Sequence, residues 1–354
     1  MHRDKLTSEE RMKALKLKKR PDRVPVIPHM EVYAARICNM TARDYYLNPQ
    51  MAFEAQVWAK SLHQHDGGIG YGIPEKYAWD FGGEIEFPTS PNKFFPRVIK
   101  RPITCAADIE ELKVPDIDNA PGSSRDLYHA KMCFEKGMGV GVSAGSPLSV
   151  VHCLTGSDLL MRWLIKEPGL VHRLLRIATD YLISIAERYV EEFGAENVKA
   201  GCSCPMECHA IMSPKTFEKF SLIYIKEIFE KFEHMGIDIK TVHLCGNHTK
   251  NLSYWKDEIK VHPRTLFTVG YEMDMEHLAK ELGEEHMVGG NLRNTILQTG
   301  SPREVYEEAG RIVEKMKYIP GGFILTPDCN LSPITPAANV HAMIQAARDF
   351  GKYE

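Results

Sequence analysis

The 354-residue chain has no run near the roughly 18 consecutive apolar residues that a membrane-spanning helix needs, and its first residues, MHRDKLTSEERMKALKLKKRPDRVPV, hold no apolar signal-peptide core. Positive charge is not in excess either: 44 Lys and Arg stand against 47 Asp and Glu, a net of −3, which removes the field that would gather nucleic acid. No G-x-G-x-x-G opens a helix after a strand, and no P-loop pattern occurs, so neither nucleotide fingerprint is present. With 44% hydrophobic and 26% charged residues, the chain has the makeup of an ordinary globular domain rather than a disordered or fibrous one. A cytoplasmic protein that binds neither membrane nor nucleic acid is expected. Nine cysteines, an odd count, then read as free, structural or metal-bound thiols rather than a disulfide framework.

Thr7-Ser8-Glu9-Glu10 is a capping-box pattern that starts a short basic helix, whose charged face should be solvated. From Val24 onward, short apolar runs bounded by glycine alternate with long amphipathic segments. Eight strands are expected, near residues 24–30, 67–72, 138–144, 197–203, 237–245, 265–271, 287–292 and 321–326. The helical segments between them often open with Ser-Pro, Thr-Pro or Asp. Eight strands alternating with helices point to a (β/α)8 TIM barrel. The barrel is expected to occupy residues 1–354 as one domain, with an N-terminal helical extension over 1–23. An insertion of hairpin-like and short helical character is expected at about 73–122, after the second strand.

The strongest chemical signal is Thr241-Val242-His243-Leu244-Cys245-Gly246-Asn247, at the end of an expected strand. Alternate side chains on a strand share a face, so His243 and Cys245 converge. Phe323-Ile324-Leu325-Thr326 runs into Pro327-Asp328-Cys329, and barrel strands end on one common face, so Cys329 can join them from 84 positions away. Two thiolates and one imidazole with a fourth position open are a catalytic zinc pattern. On its own, a His-x-Cys is more often a buried cysteine beside a hydrogen-bonded histidine.

Cys202-Ser203-Cys204-Pro205-Met206-Glu207-Cys208-His209 is a rival cluster whose spacing matches no common zinc finger or ribbon. Its Glu207 is a candidate acid, base or extra ligand at the mouth, with a capping carboxylate as the plainer alternative. His29, Met30, Glu31 and Tyr33 near the first strand, with Tyr71, Tyr77, Trp79 and Asp80 near the second, are expected to line a pocket for a small, partly apolar ligand. His152, His209 and His248 default to structural roles.

Over nearly its whole length the chain resembles the uroporphyrinogen decarboxylase superfamily and, within it, the zinc-containing, corrinoid-dependent methyltransferases. The residues that carry the resemblance are TSEERMKALKLKKRPDRVPVIP, Ser213-Pro214 with FEKFSLIYIKEIFE, His243 through Asn247, Gly289-Gly290-Asn291, Thr299 through Val305, and Gly321 through Val340. It implies a barrel in which His243, Cys245 and Cys329 hold zinc and a corrinoid arrives on a partner protein; Glu31 and Glu207, from their places at the mouth, are the candidate catalytic carboxylates. The implied reaction moves a methyl group from a methylated small molecule, such as a methoxylated aromatic, to the cobalt of that corrinoid. Transfer from a methyl-corrinoid to a thiol of the coenzyme M type is the first alternative and a metal-free decarboxylase the second; a non-catalytic docking scaffold is the third. Where the decarboxylases have an arginine-rich stretch after the first strand, this chain has His29-Met30-Glu31-Val32-Tyr33-Ala34-Ala35-Arg36, an environment poor for a polycarboxylate.

Overall fold

A computed structural model describes residues 4–90 and 93–353. Six parallel strands form one sheet in sequence order: β3 (Val140–Gly145), β4 (Val198–Ser203), β5 (Asp238–Leu244), β6 (Leu266–Val269), β7 (Met287–Leu292) and β8 (Phe323–Pro327), after a separate antiparallel pair, β1 (Glu84–Glu86) and β2 (Arg97–Lys100). Helices connect the six and cover the sheet, the longest spanning Pro168–Phe193 against β3. The strands are near-continuous apolar runs, as burial on both faces requires; every residue of β6 and β8 is buried.

The first barrel position is shorter than the sequence suggests. Val26 bridges Leu325 in parallel, with the Ile27 N–H donating to Leu325 O and the Leu325 N–H to Pro25 O, each at 2.9 Å. Pro25 and Pro28 flank this bridge and have no N–H to extend a ladder. The second expected strand, residues 67–72, does not form: four of its six residues are glycine, which weakens a strand, and the Asp66 N–H to Val26 O bond of 2.9 Å is what ties this segment to the first position. Among the described residues the ladder is therefore regular over six of the eight positions of the (β/α)8 barrel.

The N-terminal helix Ser8–Lys16 carries the expected capping box between Thr7 and Glu10. It is not simply a solvated helix. Leu15 packs with Leu266, Met287 and Ile324 at the strand N-termini, and the Arg11 side chain is buried. Arg11 Nη1 and Arg23 Nη1 reach the two oxygens of buried Asp66 at 2.6 and 2.7 Å, while Asp22 and Asp4 take their remaining nitrogens. Asp66 Oδ2 also accepts from the Val26 N–H, so the network ties the extension to the first two barrel positions. Within 73–122 lie the helix Lys76–Asp80, the β1–β2 hairpin and the helix Asp108–Glu111. No helix among the described residues is long and apolar enough to cross a membrane.

Candidate metal centre

β5 ends at Leu244 and β8 at Pro327, so His243, Cys245 and Cys329 stand at the same, C-terminal end of the sheet. Their three donor atoms lie within 4.8 Å of one another, and among the described residues no other group of three or more His, Cys, Asp or Glu is so placed. Register sets the imidazole: His243 pairs with Thr268 of β6, and its Nδ1 lies 2.9 Å from the Thr268 hydroxyl. Its Nε2 is buried without a hydrogen-bond partner. Gly246, at φ +83°, turns the chain directly after Cys245; a side chain there would meet Cys208. His248 Nε2 lies 3.1 Å from the Cys245 carbonyl and holds that turn.

The two thiols share a proton unequally. A hydrogen bond from Cys245, reinforced by His243, holds Cys329 down to about 4, and the same bond pushes Cys245 up. An orphaned imidazole nitrogen facing a thiolate and a second thiol is a donor set that fits a zinc ion, with one position left for another ligand. Glu272, beyond the end of β6, exerts its charge on both Cys245 and Asp328. The strand expected over 265–271 ends one residue before it. The usable signal was its place three residues past a barrel strand, where functional side chains gather.

Glu31 is also brought to this centre. Burial and then the Cys329 charge push its carboxyl up to about 7, partly offset by a hydrogen bond with Asn330. His29 is driven down to about 4 by burial and by His243. Both residues have positive φ, 49° for His29 and 25° for Glu31, a strained backbone of the kind that gathers at working sites. Tyr45 and Tyr46 lie in the field of Glu31, and the Tyr71 hydroxyl donates to Tyr46 O at 2.5 Å. Lys76 forms a buried ion pair with Asp126, whose Oδ1 has no partner.

The remaining expected pocket residues turn elsewhere. Tyr33 is buried against His63 Nε2 at 3.1 Å, and Met30 is in the core. Asp80 accepts from the backbone N–H groups of Gly122 and Ser123 and from Tyr181, at the start of the helix Pro121–Glu135; Trp79 packs on Phe87 beneath Arg125. Tyr77 stands edge-on to Tyr181. His152 meets Ser157, and His209 Nε2 accepts from the Lys250 N–H. Arg36, the one guanidinium of the stretch after the first strand, is exposed.

Glu207 is fully buried. One oxygen accepts from the Ser146 and Ser221 hydroxyls, the other has no partner, and burial pushes the carboxyl up to about 7. Ser221 lies in a π-helical turn, Glu218–Leu222. None of these contacts reaches His243, Cys245 or Cys329. In the rival cluster, the Cys202 and Cys204 sulfurs lie 3.6 Å apart and are buried, outside the metal-holding group.

Fold and site together define a (β/α)8 barrel with soft donor atoms gathered at its mouth. The uroporphyrinogen decarboxylase family model matches residues 7–350, and the chain belongs to that family. Among curated relatives, it is 27% identical over 260 residues to the methylcobamide:CoM methyltransferase MtbA of Methanosarcina acetivorans, covering 72% of each chain. It is 22% identical over 271 residues to the uroporphyrinogen decarboxylase of Vibrio cholerae, again covering 72% of each. A solved methyltransferase from Methanosarcina mazei superposes with a TM-score of 0.79 at 23% identity, covering 98% of this chain and 99% of that one, a likeness of fold.

Proposed function

We propose that the chain is a zinc-dependent, corrinoid-linked methyltransferase that moves a methyl group from a methyl ether, such as a methoxylated aromatic, to the cobalt of a corrinoid carried by a partner protein. The observation that carries the reading is the convergence of His243 Nε2, Cys245 and Cys329 at the barrel mouth. His243, Cys245 and Cys329 would hold the metal. When bound, zinc supplies a Lewis acid that polarises a donor oxygen.

The protein's own residues do the rest. Thr268 fixes the His243 ring so that Nε2 faces the mouth. Glu31, raised to about 7 so that its protonated form is well populated near neutrality, gives its proton to the ether oxygen as the methyl–oxygen bond breaks and the electron pair stays on oxygen. Tyr45, Tyr46 and Tyr71 pack ring against ring on the Glu31 side, an apolar backing for that carboxyl. Glu207 has no place in the chemical step in this reading. Its contacts make it a tie between Ser146 and the π-helical turn.

A second reading, methyl transfer from a methyl-corrinoid to a thiol of the coenzyme M type, is favoured by the names of the relatives in Methanosarcina. The experiment measures metal content of the purified chain by elemental mass spectrometry beside Cys329→Ser, then methyl transfer with a corrinoid protein. About one zinc per chain, lost in the variant, with methyl ethers consumed in the forward direction, is expected. Activity only with a thiol acceptor selects the second reading. Full turnover without metal, or carbon dioxide release from a tetrapyrrole polycarboxylate, overturns both.

A further inference from the structure

A second concave site lies at the opposite end of the barrel. A cavity of about 210 Å³ is lined by Lys18, Lys19, Arg20 and Lys317, by Tyr318 and Tyr353, and by the turn Gly321–Gly322 that leads into β8. Among the described residues that line it, four are cationic and none carries a carboxylate. Across the described residues, the lysines and arginines of this protein commonly meet Asp or Glu within 4 Å, yet none of these four does. In a chain of net charge −3, the positive charge left over here is out of proportion.

Three of the four cations are nonetheless positioned. Lys317 Nζ donates to the carbonyls of Phe350 at 3.2 Å and Lys352 at 3.4 Å, and Lys18 Nζ to that of Glu284 at 3.3 Å. The Arg20 guanidinium sits 5.0 Å from the Tyr318 ring centroid and 6.0 Å from that of Tyr353, a stacking that leaves its N–H edge free. Lys18 has φ +55°, so the loop after the first helix curls over the cavity in a conformation that L-residues avoid.

Two helices, Ser8–Lys16 and Pro302–Met316, end here, and cations at helix C-termini are ordinarily favoured. That effect is too small to account for the arrangement. Two C-terminal dipoles carry about one negative charge together, against four positive side chains.

The geometry points to a binding site for a phosphate group bearing at least two negative charges, at the base of the barrel and separate from the metal centre. Carbonyl-anchored ammoniums and a stacked guanidinium are donors without acceptors of opposite charge, and a multiply charged phosphate supplies acceptors on several sides. β8 separates this site from Cys329, a span of roughly 20 Å at about 3.3 Å per residue. A ligand bound here therefore does not contact the metal centre. This inference stands independently of the methyl-transfer reading.

The test is calorimetric titration of the full chain at low ionic strength with sodium pyrophosphate and, separately, adenosine triphosphate. The variants are Arg20→Gln/Lys317→Gln and, at an exposed position whose side chain bonds to nothing, Lys19→Glu. One saturable site per chain is expected, weakened at least tenfold in the double variant and severalfold in Lys19→Glu, and weakening as salt rises. Tighter binding of pyrophosphate identifies an inorganic ligand; tighter binding of the nucleotide identifies an esterified one. No saturable binding of either, or binding that survives the double variant and so resides at the metal centre or elsewhere, overturns the assignment. Circular dichroism confirms that each variant is folded.

Discussion

His243 and Thr268 are register partners on adjacent parallel strands, and the 2.9 Å contact between Nδ1 and the threonine hydroxyl leaves Nε2 as the nitrogen that faces Cys245 and Cys329. A second partner of this kind fixes the ring angle of a metal-binding imidazole. Replacing Thr268 by the isosteric valine keeps the buried volume and removes the bond. Zinc affinity, read by competition with a coloured chelator, is expected to fall about 10- to 100-fold. An unchanged affinity would show that packing alone orients the ring.

Glu31 is a carboxyl raised to about 7 by burial first and then by the Cys329 charge. Glu31→Gln keeps the shape and removes the proton. With zinc content unchanged, methyl transfer from ethers is expected to drop roughly 100-fold or more, the scale of a lost general acid. Equal losses with a donor whose leaving group needs no proton would move Glu31 from proton donor to packing residue.

How much of this was readable from the chain follows from which signals are local. His243 and Cys245 were legible because a period of two puts them on one strand face, and Cys329 because barrel strands end together. Glu272 was passed over because it sits in a loop with no periodicity to place it. Glu207 stood out as a carboxylate in a cysteine-rich strand end, yet its partners Ser146 and Ser221 come from other elements, and no spacing announces them. The segment 67–72 was expected as a strand from its position in the alternation, and its glycines undid the ladder. Sequence alone makes Arg23 one more charge of a solvated basic segment, because Asp66, the acid that holds it and Arg11, lies in the second barrel position.

That buried network makes its own prediction. Asp66 accepts from Arg11, Arg23 and the Val26 N–H, and all three side chains are buried. Removing the acid leaves Arg11 to Asp22 and Arg23 to Asp4, but takes from each buried guanidinium its most buried partner and from the Val26 N–H its acceptor, a loss of up to about 3 kcal/mol. Asp66→Ala is therefore expected to lower the urea midpoint substantially, while Asp22→Ala, which leaves Arg11 its bond to Asp66, costs less. Equal effects would mean that the extension is held by Leu15 packing rather than by the ion network.

Glu207 predicts a pH dependence of stability with a definite sign. Its ordinary value is 4.5 and burial raises it to about 7 in the folded chain. Between those values the folded state keeps a proton that the unfolded state releases, so this group makes stability fall as pH rises from about 4.5 to about 7, with no further change above. At about 1.4 kcal/mol per unit, the ceiling of the effect is roughly 3 kcal/mol. Glu207→Gln mimics the protonated carboxyl: its oxygen still accepts from Ser146 and Ser221, and its amide occupies the place of the unpartnered oxygen. Denaturant unfolding of metal-matched wild type and variant across pH 5 to 8 is expected to show the variant gaining relative stability as pH rises. A constant difference across that range would place the ionised carboxylate in the folded state and require a cation or water beside its free oxygen.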